Sequence, residues 1–212
     1  MDISHQLNKA LIPQSIAVIG ASDRPDSRGA ILWRNLLNGG FQGKLYPVNP
    51  KYKFLGDTTC FKQIKDIDGP VDLAILATPA QLAETLIEEI AAKGTRWVML
   101  APSNVNITSD PSWQAHMVNK ARTLGIRLIG TDCLGIMRPD CGLNASYWDS
   151  LPSQGSVGFA SQSGVIGTSV LSYARISGLG FSSLINTGDE IDLSMDEVID
   201  FFAQDKNTKL IV

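Results

Sequence analysis

The residues best placed to do chemistry begin with Gly20-Ala21-Ser22-Asp23-Arg24-Pro25, which follows the β-branched run Ile16–Ile19, with Gly29 shortly after. Glycine at 20 lets a strand turn sharply with no Cβ penalty. Backbone N–H groups at such a turn, and at the helix start behind it, face a phosphate. Arg24 or Arg28 adds a charge-assisted contact. The full G-x-G-x-x-G fingerprint is absent, so the turn also reads as an ordinary strand-to-helix connection. Asn49-Pro50-Lys51 stands where the next strand should end. Dinucleotide folds place a carboxylate there to accept a ribose hydroxyl. A lysine instead suits an extra ribose phosphate, as in NADP or coenzyme A, and the pairing favours coenzyme A over NAD. A solvent-exposed lysine in a proline turn is the competing reading.

Thr78-Pro79, Ala101-Pro102-Ser103-Asn104 and Gly130–Gly135 each follow a strand-like run. Ligands bind outside the carboxyl ends of strands in open α/β sheets. The candidate cofactor-binding set is therefore Gly20, Ala21, Ser22, Arg24, Asn49, Pro50, Lys51, Thr78, Pro79, Ser103 and Asn104. Ser161-Gln162-Ser163-Gly164 forms a second strand-to-helix junction with hydroxyls, and Ser161, Ser163 and Gly164 are candidate phosphate binders.

A serine nucleophile needs a positioned base and an orienting acid. His5 and His116 are the only histidines, and the G-x-S-x-G elbow is missing. No catalytic residue is assigned. The acidic stretch Gly188–Asp192 lacks the converging oxygens of a metal site and reads as a solvated loop with charges near a helix start. Cys133, near the proposed ligand edge, reads as a packing residue.

These loops are spaced by alternating strand and helix patterns. Strands are expected at Ile16–Ile19, Lys44–Val48, Val71–Ala77, Arg96–Leu100 and Ile126–Ile129, and helices at Gly29–Asn38, Pro79–Lys93 and Asp110–Leu124. That order implies a doubly wound, Rossmann-like α/β domain over residues 1–150 with a parallel sheet. A second unit, residues 151–212, has strands at Ser156–Ala160, Phe181–Ile185 and Lys209–Val212, and helices at Ser163–Ser177 and Met195–Gln204. Three strands under two helices make a thin sheet, so this unit is expected to be an incomplete, truncated α/β domain.

The composition agrees. Hydrophobic residues make up 44% and charged residues 18%, with a net charge of −3, which suits a globular core and offers no basic footprint for nucleic acid. Three cysteines without C-x-x-C spacing argue against a disulfide framework or zinc. No signal peptide or membrane-length apolar run is visible. A cytoplasmic location is expected.

Together these motifs resemble the CoA-binding α-type region of ADP-forming acyl-CoA synthetases, relatives of the succinyl-CoA synthetase α subunit. Ser15–Ser22, Asn35–Gly43 and Pro47–Lys51 fit the first domain, and Gly142–Ser146 the interdomain stretch. Ser161–Gly164, Gly188–Asp192 and Asp205–Val212 fit the second. The Asn35–Phe41 and Gly142–Ser146 phrasing is most similar to bacterial protein-lysine acetyltransferases, which fuse this region to a GNAT domain.

The resemblance implies a CoA-binding Rossmann-like domain followed by a flavodoxin-like domain. The coenzyme would meet the Ser22 turn, Asn49–Lys51, and the loops after the third and fourth strands. Two departures stand out. Gly130-Thr131-Asp132 replaces the family's Gly-Pro-Asn, and Ala101-Pro102-Ser103-Asn104 replaces a Ser-Ala-Gly-Phe-like turn. No histidine follows His116, so the family's phosphohistidine half-reaction cannot run on these residues alone. The expected function is CoA or acyl-CoA binding within an acetyltransferase or ADP-forming synthetase. The implied partners are an acyl-CoA ligand and the synthetase, ATP-grasp or GNAT domains of a longer parent, with self-association left open. An NADP-dependent oxidoreductase and a vestigial interaction module are the alternatives.

Overall fold

A computed structural model describes residues 3–101 and 105–212. The chain opens with helix α1 (Ile3–Leu11), strand β1 (Ser15–Ile19), helix α2 (Arg28–Asn38) and strand β2 (Lys44–Val48). A small hairpin, β3 (Phe54–Leu55) and β4 (Thr58–Thr59), precedes β5 (Leu73–Leu76), α3 (Ala83–Lys93), β6 (Trp97–Leu100), α4 (Val105–Thr108), α5 (Pro111–Thr123) and β7 (Arg127–Ile129). The second part holds β8 (Gly135–Arg138), β9 (Leu143–Ser146), β10 (Gln154–Ser161), α6 (Gly164–Ser177), β11 (Phe181–Asn186), α7 (Met195–Gln204) and β12 (Leu210–Ile211).

The first sheet is parallel, in the order β2-β1-β5-β6-β7. Its strands are apolar on both faces because helices cover both. Ile16 and Val18 of β1 join a core with Leu32 and Leu36 of α2 and Leu7 and Leu11 of α1. Ala17 and Ile19 point the other way, into a core with Ile87 and Ile90 of α3 and Met117 of α5. This is the doubly wound arrangement expected. Pro47 is tolerated because β2 is an edge strand. The helix caps follow the sequence signals: Asp110 accepts from Ser112 N ahead of Pro111, and Ser163 accepts from Ile166 N ahead of Gly164.

The second sheet differs from expectation. It has five strands, ordered β12-β10-β11-β8-β9, rather than three. The extra pair is a hairpin from residues 135–146, a stretch expected from the sequence to lie within the first domain. It adds antiparallel to β11 and thickens a sheet that would otherwise be thin. Burial of Arg138 explains why the hairpin is hard to see. Its guanidinium donates to Ser183 Oγ at 3.0 Å and to Asp205 at 3.1 and 3.2 Å, partners supplied from far along the chain. Both sheets share one core, since Ile136, Ile185 and Phe202 pack in the same cluster as Ile16 and Leu36.

A buried carboxylate ties the two parts polar-to-polar. Asp192 accepts from Leu128 N at 2.8 Å, from Arg122 at 2.8 and 3.0 Å, and from Arg127 Nε at 3.1 Å. Arg127 also reaches Glu197 at 2.8 and 3.0 Å. Among the described residues no helix is long and apolar enough to cross a membrane.

Candidate functional site

The strand order of the first sheet reverses between β1 and β5, since β2 lies on one side of β1 and the later strands on the other. In open α/β sheets a ligand crevice opens at such a switch point, beyond the carboxyl ends of the strands. A cleft of about 630 Å³ lies there, within the usual size of a small-molecule site.

Its floor is built from the end of β1. Gly20 has φ +92°, and a Cβ on it would stand 2.7 Å from the Ala77 carbonyl oxygen, so only glycine fits between β1 and β5. Beyond it the loop is held by its own polar atoms. Ser22 Oγ accepts from Arg24 N at 3.1 Å and lies 3.3 Å from Tyr52 Oη. Ser27 caps α2 by accepting from Ala30 N, and its hydroxyl donates to the Arg24 carbonyl at 2.9 Å.

Asn49 welds this loop to the end of β2. Its Nδ2 donates to the Ala21 carbonyl at 2.8 Å, and its Oδ1 accepts from Lys51 N at 3.0 Å. The backbone of Lys51 is thereby fixed while its ammonium group stays at the cleft mouth. A short backbone bridge then brings in a residue the sequence did not flag. Phe61 N donates to the Pro47 carbonyl and Asn49 N to the Phe61 carbonyl, which sets Lys62 on the same rim.

Gly20, Ser22, Arg24, Asn49, Pro50 and Lys51 all line the cleft, and so do Thr78 and Pro79. Ala21 does not. Its side chain is fully buried and its carbonyl is taken by Asn49. Ser103 and Asn104 lie outside the described residues. Arg28, the alternative to Arg24 as an anion contact, turns away and stacks over the Tyr147 ring at 5.5 Å. Ser161, Ser163 and Gly164 sit apart from the cleft at the start of α6. Ser161 Oγ accepts from Ser163 N at 3.1 Å and Ser163 Oγ serves as the cap.

The lining residues that sequence reasoning missed include Tyr52, Lys62, Gln63, Ile64, Leu82 and Glu89. Tyr52 alone had a local signal, as the neighbour of Lys51. Electrostatically the mouth is one-sided. Arg24, Lys51 and Lys62 all line it, and among the described residues none of their side chains is ion-paired. Three unpaired cations around one crevice, in a chain of net charge −3, make a site for a polyanion.

Elsewhere, titratable groups are occupied structurally. The acidic loop is braced rather than solvated. Asp189 accepts from Thr131 Oγ1 at 2.6 Å and from Gln114 Nε2 at 3.0 Å, Glu190 accepts from Gln162 Nε2 at 2.7 Å, and Asp192 is buried as described. No group of three metal-ligating side chains occurs among the described residues. Burial pushes the Cys133 thiol up to about 12, which keeps it an inert packing group at neutral pH. His116 is exposed and lies 3.2 Å from Glu84.

Comparison with known proteins agrees with this architecture. Residues 14–139 match the family model described as "CoA binding domain", and residues 154–212 match "Succinyl-CoA ligase like flavodoxin domain". The ADP-forming acetate–CoA ligase of Methanocaldococcus jannaschii is 30% identical over 208 residues, covering 98% of this chain and 29% of that protein. The α subunit of ADP-forming acetate–CoA ligase II of Pyrococcus furiosus is 32% identical over 202 residues, covering 94% of this chain and 44% of the subunit. The dinucleotide-forming acetyl-coenzyme A synthetase 1 of Ca. Korarchaeum cryptofilum, solved with phosphate and ADP, superposes with a TM-score of 0.91 at 31% identity, over 97% of this chain and 44% of that one. The chain thus spans less than half the length of these relatives. A glycine turn at a sheet switch point, a lysine where a carboxylate would mark NAD, and a family match over residues 14–139 lead to one assignment: the chain belongs to the CoA-binding domain family, and carries a succinyl-CoA-ligase-like flavodoxin domain behind it.

Proposed function

We propose that this chain is the CoA- or acyl-CoA-binding region of an ADP-forming acyl-CoA synthetase, with the coenzyme seated in the cleft beside Gly20 and Lys51. The observation that carries the reading is that Arg24, Lys51 and Lys62, none ion-paired among the described residues, all line a crevice at the switch point. Coenzyme A is long and polyanionic, with a diphosphate and a ribose 3′-phosphate. The cleft fits that chemistry: its rim is cationic, the β2 end has no carboxylate to repel a ribose phosphate, and its remaining wall is largely apolar. Arg24 and the Ser22 turn would hold the diphosphate. Lys51, its backbone locked by Asn49, would meet the 3′-phosphate, with Lys62 beside it. Pro79 and Thr78 would border the path toward the pantetheine arm.

Within such an enzyme, the bound coenzyme supplies the thiol that takes up an acyl group. The residues of this chain bind and orient that coenzyme. With no histidine beyond His116, a phosphohistidine step belongs to other parts of the assembly. Ser161, Ser163 and Gly164 at the α6 start then face a phosphate that such parts deliver. The relatives support a synthetase parent rather than a GNAT-fused acetyltransferase, since those described above are ADP-forming ligases or acetyl-CoA synthetases.

Titration calorimetry against CoA, acetyl-CoA, 3′-dephospho-CoA, NADP and NAD tests the reading. CoA and acetyl-CoA should bind, dephospho-CoA more weakly by about tenfold, as expected for loss of a charge-assisted contact. Lys51→Ala should weaken CoA and leave dephospho-CoA nearly unchanged. NADP binding with no response to CoA would overturn it.

A further inference from the structure

The three glutamates of α3 have different fates. Glu84 lies 3.2 Å from His116 and 3.3 Å from Lys120, and Glu88 is ion-paired with Lys120. Both sit on the face turned to α5. Glu89 is the next residue, about 100° further round the helix, and shares its face with Leu82 and Leu86 at helical spacing. All three line the cleft. Glu89 is half-buried, and among the described residues it has no hydrogen-bond or ion-pair partner. Leu82 is 50% exposed in the same wall, and Ile64 lies behind it at 1%.

A largely apolar wall that carries one acceptor, without a partner among the described residues, is a specific kind of site. A carboxylate has only lone pairs to offer, and leaving it half-buried and unpaired is unfavourable. It repels phosphate, so a polyanion must keep its phosphates at the Arg24, Lys51 and Lys62 rim and present some other part to α3. We propose that this end of the cleft takes the base of an adenine nucleotide, with Leu82 and Leu86 against the ring face and Glu89 accepting a hydrogen bond from the 6-amino group. The proposal rests on the coenzyme reading above and extends it to base selection. Adenine offers a donor at position 6, whereas hypoxanthine and guanine offer a keto oxygen that a carboxylate rejects. On this proposal the cations take the phosphates and Glu89 takes the base, which orients the ligand.

The test compares CoA with its 6-oxo (hypoxanthine) analogue by calorimetry on the full chain. The native protein should bind CoA at least about tenfold more tightly, the worth of a hydrogen bond to a charged group. Glu89→Gln, whose amide can either accept or donate, should weaken CoA by less than Glu89→Leu does and bring the two ligands within about twofold of each other. Glu89→Leu should weaken CoA by about tenfold while the preference for CoA over dephospho-CoA persists. Circular dichroism verifies that both variants fold. Equal affinity of the native protein for the two bases, or undiminished discrimination in Glu89→Gln, would overturn the assignment of Glu89 while leaving the coenzyme reading standing. A complete lack of CoA binding would overturn both.

Discussion

Gly29, in the first turn of α2, lies so close to Gly20 that a Cβ on it would stand 1.9 Å from the Gly20 carbonyl oxygen. The two glycines are nine residues apart, yet together they do what the spaced glycines of a dinucleotide fingerprint do: one turns the strand end and the other lets the helix settle on it. Alanine ordinarily stabilises a helix over glycine by about 1 kcal/mol. Here the clash is with backbone, which cannot rotate away, so overpacking decides the sign. Gly29→Ala is expected to lower stability by about 3 kcal/mol and to weaken CoA by displacing the Ser22–Arg24 turn. Gly164→Ala is the control, since its Cβ would meet nothing nearer than Leu134 at 3.9 Å. It should be neutral or stabilising by about 0.5 kcal/mol. Urea midpoints of the two variants provide the check, and an unchanged midpoint for Gly29→Ala would contradict the packing argument.

Asn49 acts on the ligand through others. It donates to Ala21 and accepts from Lys51, so both sides of the cleft mouth depend on it. Asn49→Asp removes the donor and turns a carboxylate oxygen toward the Ala21 carbonyl. Loss of a buried partner costs about 1–3 kcal/mol. The expected readout differs from that of Lys51→Ala: Asn49→Asp should weaken CoA and dephospho-CoA alike, because it disturbs the scaffold rather than one phosphate contact. Selective loss of CoA alone would show that Asn49 serves only the lysine.

The sequence revealed the first sheet well because its signals are local. Short β-branched runs alternate with helices closed by glycine, and the lysine at the β2 end stood out where a carboxylate would mark NAD. What escaped depends on distant partners. Lys62 reaches the cleft only because Phe61 pairs with the β2 end. Glu89 differs from Glu88 only in what its helix face meets. The hairpin of β8 and β9 holds a buried arginine that pairs with Asp140 beside it and with Asp205, 67 residues away, so a charge stands where a buried strand would show an apolar residue. Helix α1 did leave a trace in the spacing of Leu7, Ala10 and Leu11, all buried, but its nine residues are too few to stand out in a terminal segment.

Asp192 joins the first sheet to the second part of the chain, and its side chain is wholly buried. Removing one member of a buried ion cluster strands the others, at a cost of about 3–5 kcal/mol. Asp192→Ala is therefore expected to lower the thermal midpoint sharply, because Leu128 N loses its acceptor and Arg127 loses one of its two carboxylates. Arg122 contributes far less. Its side chain is 60% exposed, so Arg122→Ala should cost about 1 kcal/mol or less. Equal effects of the two substitutions would mean that the cluster is held by Arg122 rather than by the buried carboxylate.

Acid should loosen the same junction. Burial raises the cost of charging Glu197, but hydrogen bonds and charge from Arg127 more than offset it, so the carboxyl pKa is lowered. Asp205 follows the same logic, burial opposing and Arg138 prevailing. A carboxylate with a lowered native pKa binds protons more readily in the unfolded chain. Its stabilising contribution is therefore complete above its unfolded pKa and is lost as pH falls through the native one. With unfolded values of about 4.3 for glutamate and 3.9 for aspartate, both contributions should be constant at neutral pH and decline below about pH 4.5. Glu197→Gln should be less stable than the native chain at pH 7 and should lose less on acidification, so that the two converge below the ordinary carboxylate range. Urea unfolding of both proteins across that interval measures the difference; parallel curves would mean that Arg127 gains nothing from the charge on Glu197.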